Sequence, residues 1–225
     1  MLPLPLVLAT QNADKVREIV EIFVQRWGVP LAAYSLEGIA FVLDTPEQIA
    51  TSVAGLRLPE APPDVEETGS TLEENARIKA RALVDALGLP AVADDTGLEV
   101  DALGGAPDVH SARYAGEHAT YGENVAKLVH ALDVAAAVDD RRAARFATVA
   151  LARWPEGREI STRGVVEGRI AVQPAGTGGF GYDSVFVPRE GDGRTFAEMA
   201  PDEKHAISHR GRAFRALAQQ LDEEG

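Results

Sequence analysis

The chain has no cysteine among its 225 residues, which excludes disulfides and thiolate metal centres. No run approaches the ~20 apolar residues that a membrane-crossing helix needs. Cationic charge is scarce: 22 Lys and Arg stand against 35 Asp and Glu, a net charge of −13. That balance argues against a general binder of nucleic acid or of anionic membranes, which would carry a basic face. A small phosphate ligand remains compatible, because a few local Lys and Arg with a divalent cation can hold polyphosphate on an acidic protein. The Walker A pattern Gly-x-x-x-x-Gly-Lys is missing, and there is neither an internal repeat nor a low-complexity linker. Residues 1–10 are apolar but lack the basic start and the length of a secretory signal. Pro3 and Pro5 break them, so they read as a first strand, and the expected location is the cytoplasm.

What is present is ordinary for a globular chain, 45% hydrophobic and 25% charged, and long enough for one large domain or two small lobes. Leu4 to Ala9 is a short apolar run ending at Thr10-Gln11-Asn12. A helix fits 14–26, with Val16, Ile19, Val20 and Phe23 at helical spacing. Strand, polar turn and helix in that order predict an α/β fold. Residues 43–65, mixed in polarity and interrupted by prolines, read as an irregular insertion. Ser70-Thr71-Leu72-Glu73-Glu74 offers two capping boxes, Ser70 with Glu73 and Thr71 with Glu74. The helix that follows runs to about Leu87, with Leu72, Ala76, Ala80, Leu83 and Leu87 on one face and Gly88 as its stop.

Ala91–Ala93 reads as a buried strand delivering Asp94 and Asp95 at its C-terminal end, and Leu98–Val100 as its continuation after a turn at Gly97. Further on, 123–132 is helical. Phe146–Arg153 and Glu159–Val166 pair around Pro155-Glu156-Gly157, Ser184–Val187 is a strand, and His209–Leu221 is a last helix burying Phe214, Leu217 and Leu221.

Five segments carry chemistry. Thr10-Gln11-Asn12-Ala13-Asp14-Lys15 lies between a strand and a helix start, where free N–H groups and the helix dipole suit a phosphate; the plain alternative is a surface lysine after a turn. Asp94-Asp95 closes a buried strand, where carboxylates are costly unless they hold a cation or are well hydrogen-bonded. Glu66-Glu67 precedes the helix before that strand, and one carboxylate from each pair can share Mg²⁺, which favours oxygen ligands. For either pair the alternative is a solvated turn or a helix cap. Pro174 to Asp183 holds four glycines, two aromatics and a carboxylate: a loop that can bring backbone N–H groups to a ligand and stack a flat ring, or a turn-rich connection between strands. Lys204 to Arg210 packs donors at a helix start, where Arg210 has the planar fork to grip a carbonyl or phosphate, although positive charge there opposes the dipole.

Taken together these segments resemble the inosine/xanthosine triphosphate pyrophosphatases, which hydrolyse non-standard purine nucleoside triphosphates. The carrying residues are Leu8-Ala9-Thr10-Gln11-Asn12 with Lys15, Glu66-Glu67-Thr68-Gly69, Glu74-Asn75-Ala76, Ala93-Asp94-Asp95-Thr96-Gly97-Leu98, Leu103-Gly104-Gly105-Ala106-Pro107, Ser111-Ala112-Arg113-Tyr114, Gly176 to Asp183, and Ile207-Ser208-His209-Arg210. Each is weak alone; in this order over nearly the whole chain they are strong. The resemblance implies an elongated mixed α/β sheet with flanking helices, two lobes around an active-site cleft, and a homodimer. It implies Mg²⁺-dependent cleavage of a triphosphate to monophosphate and pyrophosphate. By the same resemblance Asp95 is the catalytic acidic residue, which deprotonates the attacking water, and Glu66 with Asp95, supported by Asp94, is the metal site. Thr10, Asn12, Lys15, Lys79, Thr96 and Arg113 contact substrate, the lysines and Arg113 at its phosphates. Phe180, Gly181, Tyr182, Asp183, Lys204, His209 and Arg210 contact base and sugar. Two departures stand out: Gln11 replaces a glycine of many members, and the segment around 43–61 is longer than usual. The alternatives are a pyrophosphatase for modified pyrimidine nucleotides and a nucleotide-binding protein that does not hydrolyse.

Overall fold

The computed structural model describes residues 6–10, 12–27, 32–36, 39–43, 65–137 and 139–224. Gln11 and the body of the 43–65 insertion lie outside the described residues. The strands are β1 (Leu6–Leu8), β2 (Ala32–Leu36), β3 (Ile39–Leu43), β4 (Ala91–Val100), β5 (Pro107–Asp108), β6 (Ala143–Arg153), β7 (Glu159–Ile170) and β8 (Phe186–Pro188). The helices are α1 (Ala13–Trp27), α2 (Leu72–Leu87), α3 (Tyr121–Val134), α4 (Pro201–Ile207) and α5 (His209–Glu224). The strands form one eight-stranded mixed sheet, ordered β2-β3-β1-β4-β6-β7-β8, with β5 beside β4. Strand β1 runs parallel to β4, with Leu8 opposite Val92, and antiparallel to β3. The expected α/β class and mixed central sheet are therefore present.

The chain divides into two compact units. The first comprises Met1–Asp95, Val149–Arg163 and Ala213–Gly225; the second comprises Thr96–Thr148 and Gly164–Arg212. In the first unit, α1 and the later part of α5 bury Phe23, Phe214, Leu217 and Leu221 with Leu8 and Val92. The Phe23 and Phe214 rings meet edge to face at 5.6 Å, a favoured arrangement because ring edges are positive and faces negative. Helix α2 buries Leu72, Ala76, Ala80, Leu83 and Leu87, the face that the helical period selects; each leucine so buried contributes ~2 kcal/mol. Gly88 ends it in the left-handed region, its N–H donating to the Val84 carbonyl at 2.8 Å. The second unit packs Leu98, Leu128, Phe146, Val166, Phe186 and Phe196. Its buried Arg142 donates to the carbonyls of Ala137, Ile170 and Ala171, which satisfies the guanidinium without a buried carboxylate.

Two local expectations are corrected. Strand β4 does not turn at Gly97 but runs unbroken from Ala91 to Val100, so Asp94 and Asp95 lie inside it and not at its end. Gly97 is there for close approach: a Cβ on it would stand 3.1 Å from the backbone of Asp108, on the neighbouring strand. At the start of α2, Thr71 is the cap, accepting from the Glu74 N–H, but Ser70 donates to Glu74 and not to Glu73. Glu73 instead pairs with Arg77 one turn on.

Candidate active site

In the first unit, charge is concentrated around β4. Asp94 and Asp95 are 2% and 6% exposed. Successive strand residues point to opposite faces, and the two carboxylates meet different lysines. Lys15 Nζ, from the first turn of α1, is 3.1 Å from Asp94 Oδ2. Lys79 Nζ, from α2, donates to Asp95 Oδ1 at 2.9 Å and to Glu67 Oε1 at 2.8 Å. Burial pulls the Lys79 ammonium down, but Asp95, Glu67 and Asp94 around it more than offset this and hold its pKa above the usual lysine range. Asp95 is pushed up, first by burial and then by the nearby Glu67, against the pull of Lys79 and Lys15. A carboxyl poised this way is a better proton acceptor than a free one once ionised.

The Thr10–Lys15 turn is organised by its own side chains. Asn12 Oδ1 accepts from the N–H groups of Asp14 at 2.9 Å and Lys15 at 3.3 Å, capping α1. Thr10 Oγ1 accepts from Asn12 N–H at 3.2 Å. Two of the N–H groups expected to face a phosphate are thus taken by the cap. Of the two glutamates, Glu66 is exposed and Glu67 is the one joined through Lys79 to Asp95. Among the described residues no three His, Asp or Glu side chains gather as a preformed metal cage.

The second unit holds the ring and guanidinium groups. Thr96 Oγ1 and Thr148 Oγ1 share a hydrogen bond at 2.7 Å, and Arg210 donates to Thr96 Oγ1 at 3.2 Å. The Arg210 guanidinium lies 5.3 Å from the centre of the Phe180 ring, and Lys204 Nζ lies 5.2 Å from the same centre. Both cations are within the range of cation–π attraction. Asp183 ties the glycine-rich loop to α4: its Oδ2 accepts from Phe180 N–H at 2.8 Å and from Lys204 Nζ at 2.7 Å. Gly179 has φ 65°, and a Cβ there would collide with the Asp183 carboxylate, so only glycine fits. His209 is buried and stacks on Phe146 at 4.4 Å. Gly181 continues the loop with φ 61°. The loop also lines a cavity of about 630 Å³, whose other wall is α3 at Tyr121, Val125 and Val129.

Of the two aromatics expected to stack on a base, only Phe180 is flanked by cations. Tyr182 lies in the core, its hydroxyl donating to the Ser111 carbonyl at 2.9 Å, and burial raises its pKa. Arg113 sits in a short 3₁₀ turn, its Nε 3.8 Å from Glu117. Sequence reasoning gave no site role to Thr148, or to Asn75 beyond its place in the resemblance, yet both side chains bond site residues. Both are polar side chains with 0% exposure. Asn75 carried a signal: it falls on the apolar stripe of α2, three residues after Leu72, where a carboxamide must find partners.

A model of the Ham1 family matches residues 6–220. The dITP/XTP pyrophosphatase of Streptomyces coelicolor is 43% identical over 212 residues, which cover 94% of this chain and 94% of that protein. The dITP/XTP pyrophosphatase of Symbiobacterium thermophilum is 45% identical over 216 residues, 96% of this chain and 94% of that one. Among solved structures, a HAM1 protein from Coxiella burnetii superposes with a TM-score of 0.74 at 39% identity, over 96% of this chain and 97% of the other. A nucleoside-triphosphatase, dITP/XTP pyrophosphatase, from Mycobacterium abscessus gives 0.65 at 41% identity, over 93% and 96%. With likeness of this extent in both sequence and fold, the chain belongs to the Ham1 family.

Proposed function

We propose that this chain is a Mg²⁺-dependent pyrophosphatase that hydrolyses dITP, ITP and XTP to the monophosphate and pyrophosphate. The observation that carries the reading is the buried Asp95, held between Lys79 and Asn75 with a raised pKa, in a chain whose full-length relatives are dITP/XTP pyrophosphatases. A water attacks the α-phosphorus and gives its proton to Asp95. The bond from the α-phosphorus to the bridging oxygen breaks, and its electron pair leaves with pyrophosphate. Lys15 and Lys79 meet the charge on the departing group, the main requirement in phosphoryl transfer.

Asp95 and Asp94 with Glu66 are the residues that would hold the cation. Their donor set fits: carboxylate oxygens are the ligands a hard cation prefers, and the unfavourable burial of the Asp95 charge is what a cation relieves. A preformed cage is not needed, since Mg²⁺ commonly takes one or two carboxylates and completes its shell with waters and substrate phosphates. When bound, the cation neutralises charge on the phosphate oxygens.

Selection of the base falls to the second unit. Phe180 offers a face for stacking, and Arg210 with Thr96 offers donors for a 6-oxo group. The reading extends to a homodimer working in the cytoplasm, supported by the family resemblance and by the nucleotide pool on which such an enzyme would act. No described helix is long and apolar enough to cross a membrane. Pyrophosphate release from dITP, ITP, XTP, dGTP and ATP, with Mg²⁺ and with a chelator, tests the function. Turnover of dITP and XTP far above ATP, lost on chelation, is expected; no release from any of them would overturn it.

A further inference from the structure

We infer that Asn75 is a positioning residue for Asp95, an inference that rests on the role proposed above for Asp95. Asn75 lies in α2 with 0% exposure. Its Oδ1 accepts from Gly69 N–H at 2.8 Å, and its Nδ2 donates to Asp95 Oδ2 at 3.2 Å. The orientation of a carboxamide is often ambiguous, but here a backbone N–H fixes it. That group can only donate, so it must face the amide oxygen and leave the amide nitrogen for Asp95.

Lys79, four residues on and therefore on the same face of α2, holds the other oxygen of Asp95. One helix thus holds both carboxylate oxygens, and the rotation of the Asp95 side chain is set from two points. Gly69 closes the arrangement on its far side. A Cβ there would stand 2.6 Å from Asn75 Oδ1, 2.7 Å from Glu74 Cβ and 2.9 Å from Asn75 N, so the amide would be pushed away together with the start of α2. A residue that merely filled buried space would need no donor aimed at Asp95. Holding a reacting group in one orientation is itself a large part of catalysis, and small displacements are costly.

The test uses Asn75→Ala and Gly69→Ala, with dITP hydrolysis and ligand-free thermal unfolding as readouts. Losing the support of a reacting carboxylate is expected to lower kcat ~10- to 100-fold. KM should stay within ~3-fold, because the triphosphate contacts remain. Gly69→Ala, which displaces the amide without removing it, should repeat the kcat-only loss and serves alone if Asn75→Ala does not fold. Without nucleotide, the Tm changes of Asn75→Ala and Asp95→Ala should be non-additive in the double variant, as for directly bonded residues. An active wild type whose Asn75→Ala and Gly69→Ala variants keep kcat within ~3-fold overturns this inference alone, as do additive Tm changes. A wild type that releases no pyrophosphate overturns the proposed function and this inference with it.

Discussion

Lys79 Nζ sits 2.9 Å from Asp95 Oδ1 while also bonded to Glu67, so a single ammonium serves two carboxylates that would otherwise repel. Its own charge is well supported, whereas Asp95 remains in a site that disfavours its charged form. Asp95→Asn keeps the shape and removes that charge. It should lower kcat at least ~10²-fold, the usual cost of losing a general base, while Tm at neutral pH does not fall. Steady-state kinetics on dITP beside a melting curve checks both halves.

The same shift fixes a pH dependence. The folded pKa of Asp95 lies above its ordinary 3.8, so the native state binds the proton more tightly than the unfolded chain does. That contribution is complete below the ordinary value and is lost as pH rises through the raised one. In metal-free protein, wild type should therefore lose stability relative to Asp95→Asn across that interval and hold a constant difference above it. Tm measured against pH in a chelating buffer, for the two proteins side by side, reads this directly. A gap that narrows as pH rises would contradict the sign.

Lys15 and Lys79 should separate in their effects. Alanine at either weakens triphosphate binding more than monophosphate binding, since both are assigned to the polyphosphate. Lys79→Ala should also destabilise the fold, by on the order of 3 kcal/mol, because Asp95 and Glu67 lose their shared partner. Removing Lys15 takes an ion pair from Asp94, whereas removing Lys79 takes one from both Asp95 and Glu67, so Lys15→Ala should cost less. Isothermal titration with both nucleotides, and chemical denaturation of both variants, give the comparison.

Arg210 is expected to govern the choice of base. Hypoxanthine and xanthine present a 6-oxo acceptor; adenine presents an amino donor, which would leave a buried donor unpaired at ~1–3 kcal/mol each. Arg210→Ala should lower the ratio of kcat/KM for dITP over ATP more than it weakens pyrophosphate inhibition. An unchanged ratio would place the selection on other groups.

The proposed homodimer should appear in light scattering as a particle of twice the chain mass at micromolar concentration. A particle of single-chain mass would count against it.

Much of this arrangement is legible in the residues themselves, and the gaps have physical causes. The buried face of α2 follows from helical spacing, because a period near four residues leaves few alternatives. The buried acidic pair is legible because two charges amid Ala91-Val92-Ala93 and Leu98 require compensation. Gly97 misleads because glycine serves both turns and close approaches, and only the neighbouring Asp108 backbone distinguishes them. Strands β2 and β3 escape notice because they are short, with no alternation of polarity. They pair with each other as a hairpin, and β3 is held in the sheet by β1, a contact remote in sequence. Tyr182 looks like a stacking ring beside Phe180, and only the three-dimensional course of the loop turns it inward.

Strand β4 also limits how the gene can change in length. It is anchored to β1 at Ala91 and Val92 and to β5 at Leu98 and Glu99, and both aspartates lie between those anchors. Side chains alternate with a period of two, so adding or deleting one codon between Val92 and Asp94 would exchange the faces on which the two carboxylates appear. Lys15 and Lys79 would each be offered the wrong neighbour. Point substitutions along β4 can be graded in effect, but a single-residue insertion or deletion between Val92 and Asp94 should abolish hydrolysis even where the sheet survives.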